Sequence, residues 1–347
     1  MSDDRQSDAE RFLGRVLIIL GVAALALFFW WILDVLLLAF GAVLIAILLR
    51  AFAELIERYA RLPDRWALAA AMLLVIGALV GAGWLFGSEI RAQVGLLADA
   101  LPQAWEALQQ RLGDAWGQQL LEHLSGGPGG SLLTQLGGLL TTLLGAATNL
   151  VLVVFGGVYF ALQPEIYKSG LALLFPRRLR ADARETIEVC GSALRLWLLG
   201  QLVAMLLVGL LTTLGLWLVG IESALALGLI AGLAEFVPIV GPILAAVPGL
   251  MLGLAQGGST ALWVLLVYVL VQQVESNMIM PVVERRMVEL PPALLLFAVV
   301  AMGIVFGPLG VLFATPLTVV AFVLIKKLYV RETLGTPTPV PGEQRES

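Results

Sequence analysis

Six polar side chains stand inside apolar runs where water is scarce: Glu235, Gln201, Gln272, Glu275, Asn277 and Asn149. Groups of this kind are costly in an apolar medium and by default mark a solute or ion path. A carboxylate removed from water holds its proton more tightly, which is the property proton exchange needs, so Glu235 and Glu275 are the candidates for that chemistry. A second kind of chemistry needs no charge. Pro238, Gly241 and Pro242, and again Gly307 and Pro308, interrupt apolar runs and free backbone carbonyls and amides that can coordinate a solute or cation. Each candidate has a plainer reading. Glu275 lies ten residues before Arg285 and could form an ion pair at the membrane edge, while Gln201 and Asn149 could be hydrogen-bonding glue between helices. Glycine pairs such as Gly77/Gly81, Gly228/Gly232 and Gly303/Gly307 read as helix-packing positions.

Other chemistries find no support. The single cysteine, Cys190, excludes an intramolecular disulfide and a cysteine-based zinc site. The single histidine, His123, lies in a polar stretch and reads as a surface residue, so neither a serine–histidine catalyst nor a metal site is expected. No GxxxxGK[ST] loop occurs, so no ATP-driven step and no cofactor are expected. The net charge of −4 gives no sign of a nucleic-acid partner. Hydrophobic residues make up 60% of the chain and mean hydropathy is +0.95, more than one soluble core can bury. The bilayer is therefore the expected partner.

The elements that must hold these residues are membrane helices, which need roughly 20 apolar residues each. The run from Phe12 to Leu49 is too long for one crossing and carries one charge, Asp34, after Trp30 and Trp31. We read it as two helices, about Val16–Leu33 and Val35–Phe52, joined by a turn at Asp34. Further spans are Trp66–Phe86, Leu139–Leu162, Leu194–Val219 and Ala261–Met280. Two segments, Ala224–Ala255 and Pro292–Ile325, are too long for one simple helix and are broken by Gly241-Pro242 and Gly307-Pro308.

Orientation follows the positive-inside bias. Arg50, Arg58, Arg61 and Arg65 after the second span, Lys168, Arg177, Arg178, Arg180 and Arg184 after the fourth, and Lys326, Lys327 and Arg331 near the end all read as cytoplasmic. If each broken segment crosses once, Arg285 and Arg286 fall outside; if each enters and leaves on one side, they are cytoplasmic. The second arrangement is expected, with halves about Ala224–Val237 and Ile243–Ala255, then Ala293–Phe306 and Leu309–Ile325. At 1.5 Å per residue each half reaches about 20 Å, past the midplane but not across. The alternative is two kinked, tilted helices. Two broken elements entering from opposite faces are a transporter's usual binding site.

The expected fold class is all-α and polytopic, with about six full spans plus two broken or re-entrant helical hairpins in the C-terminal half. Its parts are a cytoplasmic tail (1–14), three membrane helices (15–87), an extracytoplasmic amphipathic segment (88–138), a fourth span (139–162), a basic helix (163–194), a C-terminal core (195–328) and a disordered cytoplasmic tail (329–347). The start of the chain does not read as a cleaved signal peptide. The amphipathic stretch Glu89–Leu124 repeats apolar residues at intervals of three or four, and its apolar face needs lipid, the protein itself or a second copy. A homo-oligomer is therefore left open.

The residues Glu235-Phe236-Val237-Pro238-Ile239-Val240-Gly241-Pro242, then Pro248, Gln272-Gln273-Val274-Glu275-Ser276-Asn277, Met280-Pro281, Leu290-Pro291-Pro292, Gly303, Gly307, Gly310 and Pro316 resemble the C-terminal block of the autoinducer-2 exporter (AI-2E) family of permeases. Leu199-Gly200-Gln201 looks like that family's Gly-Gln in the fifth span. Glu235 departs from the pattern, which often has an amide there. The resemblance implies a gradient-driven transporter of the inner membrane that moves a small solute, such as a signalling molecule, or an ion. The family also holds cation/proton antiporters; a passive channel or scaffold without coupled transport is the remaining alternative. An enzyme is not expected.

Overall fold

A computed structural model describes residues 3–81, 83–84, 132–256, 258–280 and 290–343. The expected amphipathic segment Glu89–Leu124, His123, Arg285 and Arg286 lie outside the described residues. Among the described residues there are helices and no strand.

The first element, α1, is one helix from Asp3 to Ala60. The turn expected at Asp34 is absent, and the expected tail is the start of this helix. The reason is local: from Val22 to Phe40 there is no glycine or proline, so nothing removes an i→i−4 bond. A lone aspartate cannot break a helix flanked by leucines. Helix α2 is Asp64–Gly81, and α3 is Leu132–Leu162. Small residues bring α1, α2 and α3 together: Ala46, Ala53, Ala67, Ala71 and Ala161 are buried with Leu49 and Leu68. A short helix α4, Pro164–Leu173, leaves α3 at 90° and was not foreseen.

The basic stretch is not a separate helix. After a single tight turn at Arg177–Leu179 it runs into α5, Arg180–Val219, without interruption. Gly220 then ends α5 in the left-handed conformation (φ 87°), with its N–H and that of Ile221 closing on Trp217 and Leu216.

The first broken segment becomes α6, Ala224–Ala234, and α7, Val240–Gln256. Pro238 explains the break: it disfavours helix at Val237 and supplies no N–H. At 1.5 Å per residue α6 is about 16 Å and α7 about 26 Å long, both short of the ~30 Å hydrocarbon core. Helix α8, Gly258–Val274, follows and widens into a π-helical turn at Glu275–Ile279.

The second broken segment, α9, is Pro292–Leu324 and continues as a wider turn to Thr333. Gly307 at its middle has φ 61° and ψ −145°, outside any helix. The two halves fold back on each other. A methyl group built on Gly303 would meet Val311 Cγ2 at 2.9 Å, and one on Gly310 would collide with the Met302 carbonyl. Residues eight apart in a straight helix are about 12 Å apart along the axis, so these approaches require a hairpin.

Large apolar side chains cover the outer surface. Trp217 is 68% exposed, Leu218 78% and Ile304 81%. Among the described residues, five helices are long and apolar enough to cross a membrane, or six if the bent pair α3–α4 counts as one span. Such a surface suits lipid and would not stay dispersed in water.

Ion pairs gather at one end of the bundle. Arg50 on α1 bonds Asp64 at the start of α2 and the Ala161 carbonyl at the end of α3. Arg195 on α5 reaches Glu54 on α1 at 2.6 Å. Lys327, only 1% exposed, pairs with Glu185 at 2.6 Å. The C-terminal tail differs from expectation here. It is ordered to Glu343, which takes two hydrogen bonds from Arg331, and Val340 is buried with Val189, Ala193 and Leu194. Gly342 (φ 92°) lets the tail backbone approach α5, where a Cβ would stand 2.6 Å from the Val189 carbonyl. A proline-rich composition suggests disorder only when nothing apolar can be buried, and Val340 supplies that anchor.

Candidate functional site: two hairpin tips on one helix

The tip of the first hairpin is residues 235–239. Glu235 caps the end of α6, where carbonyls run out of helical donors. Gln201 on α5 meets that need: its Nε2 donates to the Glu235 backbone carbonyl at 2.6 Å, with both residues 3% exposed. One helical turn before Gln201, Trp197 packs edge-on against Phe236, with ring centroids 5.6 Å apart.

The chain then turns sharply at Ile239, whose φ of 72° is rare for a β-branched residue and stores strain at the tip. Gly241 is buried because a methyl there would overlap the Ala234 carbonyl. Pro238 and Pro242 are half-buried beside it.

From the second hairpin, Phe306 and Leu309, flanking Gly307-Pro308, and Met302 pack against the core cluster that holds Leu37, Leu44, Leu194, Trp197, Leu198 and Phe313 among its members. Phe236 packs on that core too. Residues of both tips therefore pack against one shared core cluster, and Phe236 of the first tip meets Trp197 of α5 directly.

Glu275 supplies a second buried carboxylate, 4% exposed. Its Oε2 accepts hydrogen bonds from Gln272 Nε2 at 3.0 Å and Ser276 Oγ at 2.9 Å. Glu235 Oε2 is buried with no hydrogen-bond partner among the described residues. An unmade bond at a buried oxygen costs about 1–3 kcal/mol, so this atom is poised to take a ligand or proton.

Of the residues expected from sequence, Glu235, Gln201, Glu275, Gln272, Pro238, Gly241, Pro242, Gly307 and Pro308 belong to the α5–α9 half. Asn277 does not turn inward: it is exposed, and its amide is taken up by Gln273. Asn149 sits on α3, a different part of the bundle. Trp197 was missed. The available signal was its position one turn before Gln201 on the same face of an apolar helix.

A family model described as AI-2E family transporter matches residues 18–329. The chain belongs to the AI-2E family. It is a multi-pass helical membrane protein, which implies a lipid bilayer around it. The AI-2 transport protein TqsA of Escherichia coli is 25% identical over 306 residues, covering 85% of each chain. YrrI of Bacillus subtilis, a candidate transport protein, is 27% identical over 48% of this chain and 47% of its own. PerM of Escherichia coli, a candidate permease, is 28% identical over 53% and 52%. The chain thus spans about half the length of several curated AI-2E relatives it matches, and most of TqsA.

Proposed function

We propose that this AI-2E protein is a gradient-driven permease of the bacterial inner membrane, whose solute or ion passes where the two tips pack on the shared core. Its C-terminus is cytoplasmic and, because α1 runs unbroken to Arg50, its N-terminus lies on the other side. The observation that carries this reading is that Phe236 of one tip and Phe306 and Leu309 of the other pack against a single core cluster containing Trp197, with buried Glu235 next to Phe236. In this reading both hairpins are re-entrant, entering from opposite faces. Short half-helices, a strained tip and unpaired polar groups in the middle of an apolar bundle support it. The gathering of Arg50, Arg195, Lys327 and Arg331 at one end supports a cytoplasmic assignment for that end.

Two buried carboxylates in this half of the bundle favour an ion-linked mechanism. A cation or proton bound at Glu235 would satisfy its unpartnered Oε2. Loading and unloading that carboxylate would couple the ion gradient to rearrangement of the tips. The backbone at Pro238–Pro242 and the Gln272 amide would contact the solute.

Purified protein in liposomes, with an imposed pH gradient, tests this. The panel should include monovalent cations and AI-2, the solute in TqsA's name. Wild-type flux should follow the pH gradient, and Glu235→Gln should abolish that dependence while retaining solute binding. Flux whose pH dependence survives Glu235→Gln would remove this carboxylate from the mechanism.

A further inference from the structure

Two other buried hydroxyls lack partners. Thr212 Oγ1 on α5 and Tyr268 Oη on α8 are enclosed, with no hydrogen-bond partner among the described residues. Three other helix threonines show what Thr212 does not do. Thr186, Thr213 and Thr318 each donate to the carbonyl four residues back, at 2.7, 2.8 and 2.7 Å. That back-bond is the default resting place for a threonine hydroxyl in a helix. Thr212 has the same option at Val208 and does not take it, although the residue is 0% exposed.

The two hydroxyls occupy the same level of the bundle. Thr212 lies on α5 between Val208 and Leu216, one turn from each. Val208 belongs to a buried cluster with Ala231, Ala245 and Val271, and Leu216 to one with Ile221, Ala224, Leu227 and Val264. Tyr268 packs against both clusters and so bridges them from α8. Its hydroxyl lies over Gly249 of α7, where an added Cβ would be 2.7 Å from Oη; any side chain there would displace it. The preceding Pro248 has no N–H, so the Leu244 carbonyl one turn earlier loses its helical donor. Glu235, the third residue with an unpartnered buried oxygen, follows Ala234, which packs in the Val208 cluster with Tyr268.

We infer that Thr212, Tyr268 and Glu235 line a file of internal water running between α5, α6, α7 and α8. Three enclosed oxygens without partners among the described residues, in one seam, with Pro248 and Gly249 opening the backbone beside Tyr268, form a polar site that water fits. The file leads from the hairpin tip along α5 toward Gly220, away from the end rich in ion pairs. It therefore gives Glu235 a wet route on that side that does not cross the tips. This goes beyond the transport reading, and it stands or falls on whether water is there.

Radiolytic hydroxyl labelling of the full-length protein in nanodiscs tests it, because radicals made from bound water modify the side chain beside that water. Tyr59 and Tyr329, exposed at the end rich in ion pairs, serve as wet controls, and Phe155, on the outward apolar face, as the dry one. Tyr268 should label promptly, like the wet controls, and Thr212→Val should cause a loss of that labelling which Thr212→Ser restores. Tyr268 labelling as slowly as Phe155 in the wild type would overturn the inference, even if Thr212→Val does not fold. Labelling that is unchanged in a folded Thr212→Val protein would overturn it as well. Neither result depends on flux, so a permease without a water file and a water file without a permease remain distinguishable.

Discussion

Gly241 and Gly307 carry the same dipeptide, yet the structure gives them different reasons to be glycine. At Gly307 no heavy atom lies within 4 Å of where a Cβ would be, but φ 61° with ψ −145° is a backbone region open almost only to glycine. Gly307→Ala should therefore cost only backbone strain. That strain is about 1–3 kcal/mol, reduced by about 0.4–1 kcal/mol because alanine also restricts the unfolded chain. The net loss is about 1–2 kcal/mol, a factor of roughly 5–30 in the folding equilibrium. Because the space around the Cβ is open, Gly307→Leu should cost about the same. At Gly241 the φ is not in the left-handed region, and the obstacle is the Ala234 carbonyl. Cost there should climb with side-chain size: about 1–3 kcal/mol of overpacking for alanine, and a displaced tip with abolished transport for leucine. Equilibrium unfolding in mixed micelles, as the fraction of denaturing detergent rises, measures both series. A steep size dependence at 307, or a flat one at 241, would refute the reasoning.

Gln201→Leu should leave the Glu235 carbonyl buried and unpaired, lowering stability by about 1–3 kcal/mol in the same unfolding assay. Glu275→Gln should mainly lower expression and stability while pH-driven flux persists, whereas Glu235→Gln removes the pH dependence. Outside the membrane, the Lys327 hydrogen bond and charge hold the Glu185 carboxyl below the ordinary carboxylate range. A lowered folded-state pKa means this contact is present above the unfolded value of about 4.3 and is lost as pH falls through the folded one. Acid melting profiles should show that loss below about pH 4.3, and Glu185→Gln should flatten it. A single cysteine at position 284 in a Cys190→Ser background should resist membrane-impermeant thiol reagents applied from outside; ready labelling in intact cells would reject re-entrant hairpins.

Both breaks were legible because glycine and proline inside an apolar run have few other uses. The first, however, falls at residues 235–239, ahead of Gly241-Pro242, which sit in the first turn of α7 because proline is tolerated there. Glu235 and Gln201 were legible because polarity inside apolar sequence is costly. What sequence could not show was set by tertiary contact. Nothing local says that Phe236 and Phe306, far apart in the chain, pack against the same core cluster. Nor does composition reveal that Val340 finds a groove on α5, which turns an expected loose tail into an ordered one. Asp34 misled because a charge after two tryptophans resembles an interfacial turn, while helix propensity carried α1 straight through it. Thr212 and Tyr268 read as ordinary core residues until their missing partners were seen.

The contact between α5 and α6 has a mechanical corollary. Backbone meets backbone there: a Cβ on Gly232 would stand 2.6 Å from the Met205 carbonyl, and one on Gly228 2.6 Å from the Gly209 carbonyl. Turning α6 about its own axis by one residue, about 100°, would replace these glycines with Leu229 and Leu233 in a gap with no room for either. Rotation is thus locked, and α6 must travel with α5 as one strut. Bending is then left to the ends of that strut, at left-handed Gly220 and at Ile239. Any rearrangement that moves the first tip must therefore swing it as a lever with Gln201 attached, rather than roll it in place.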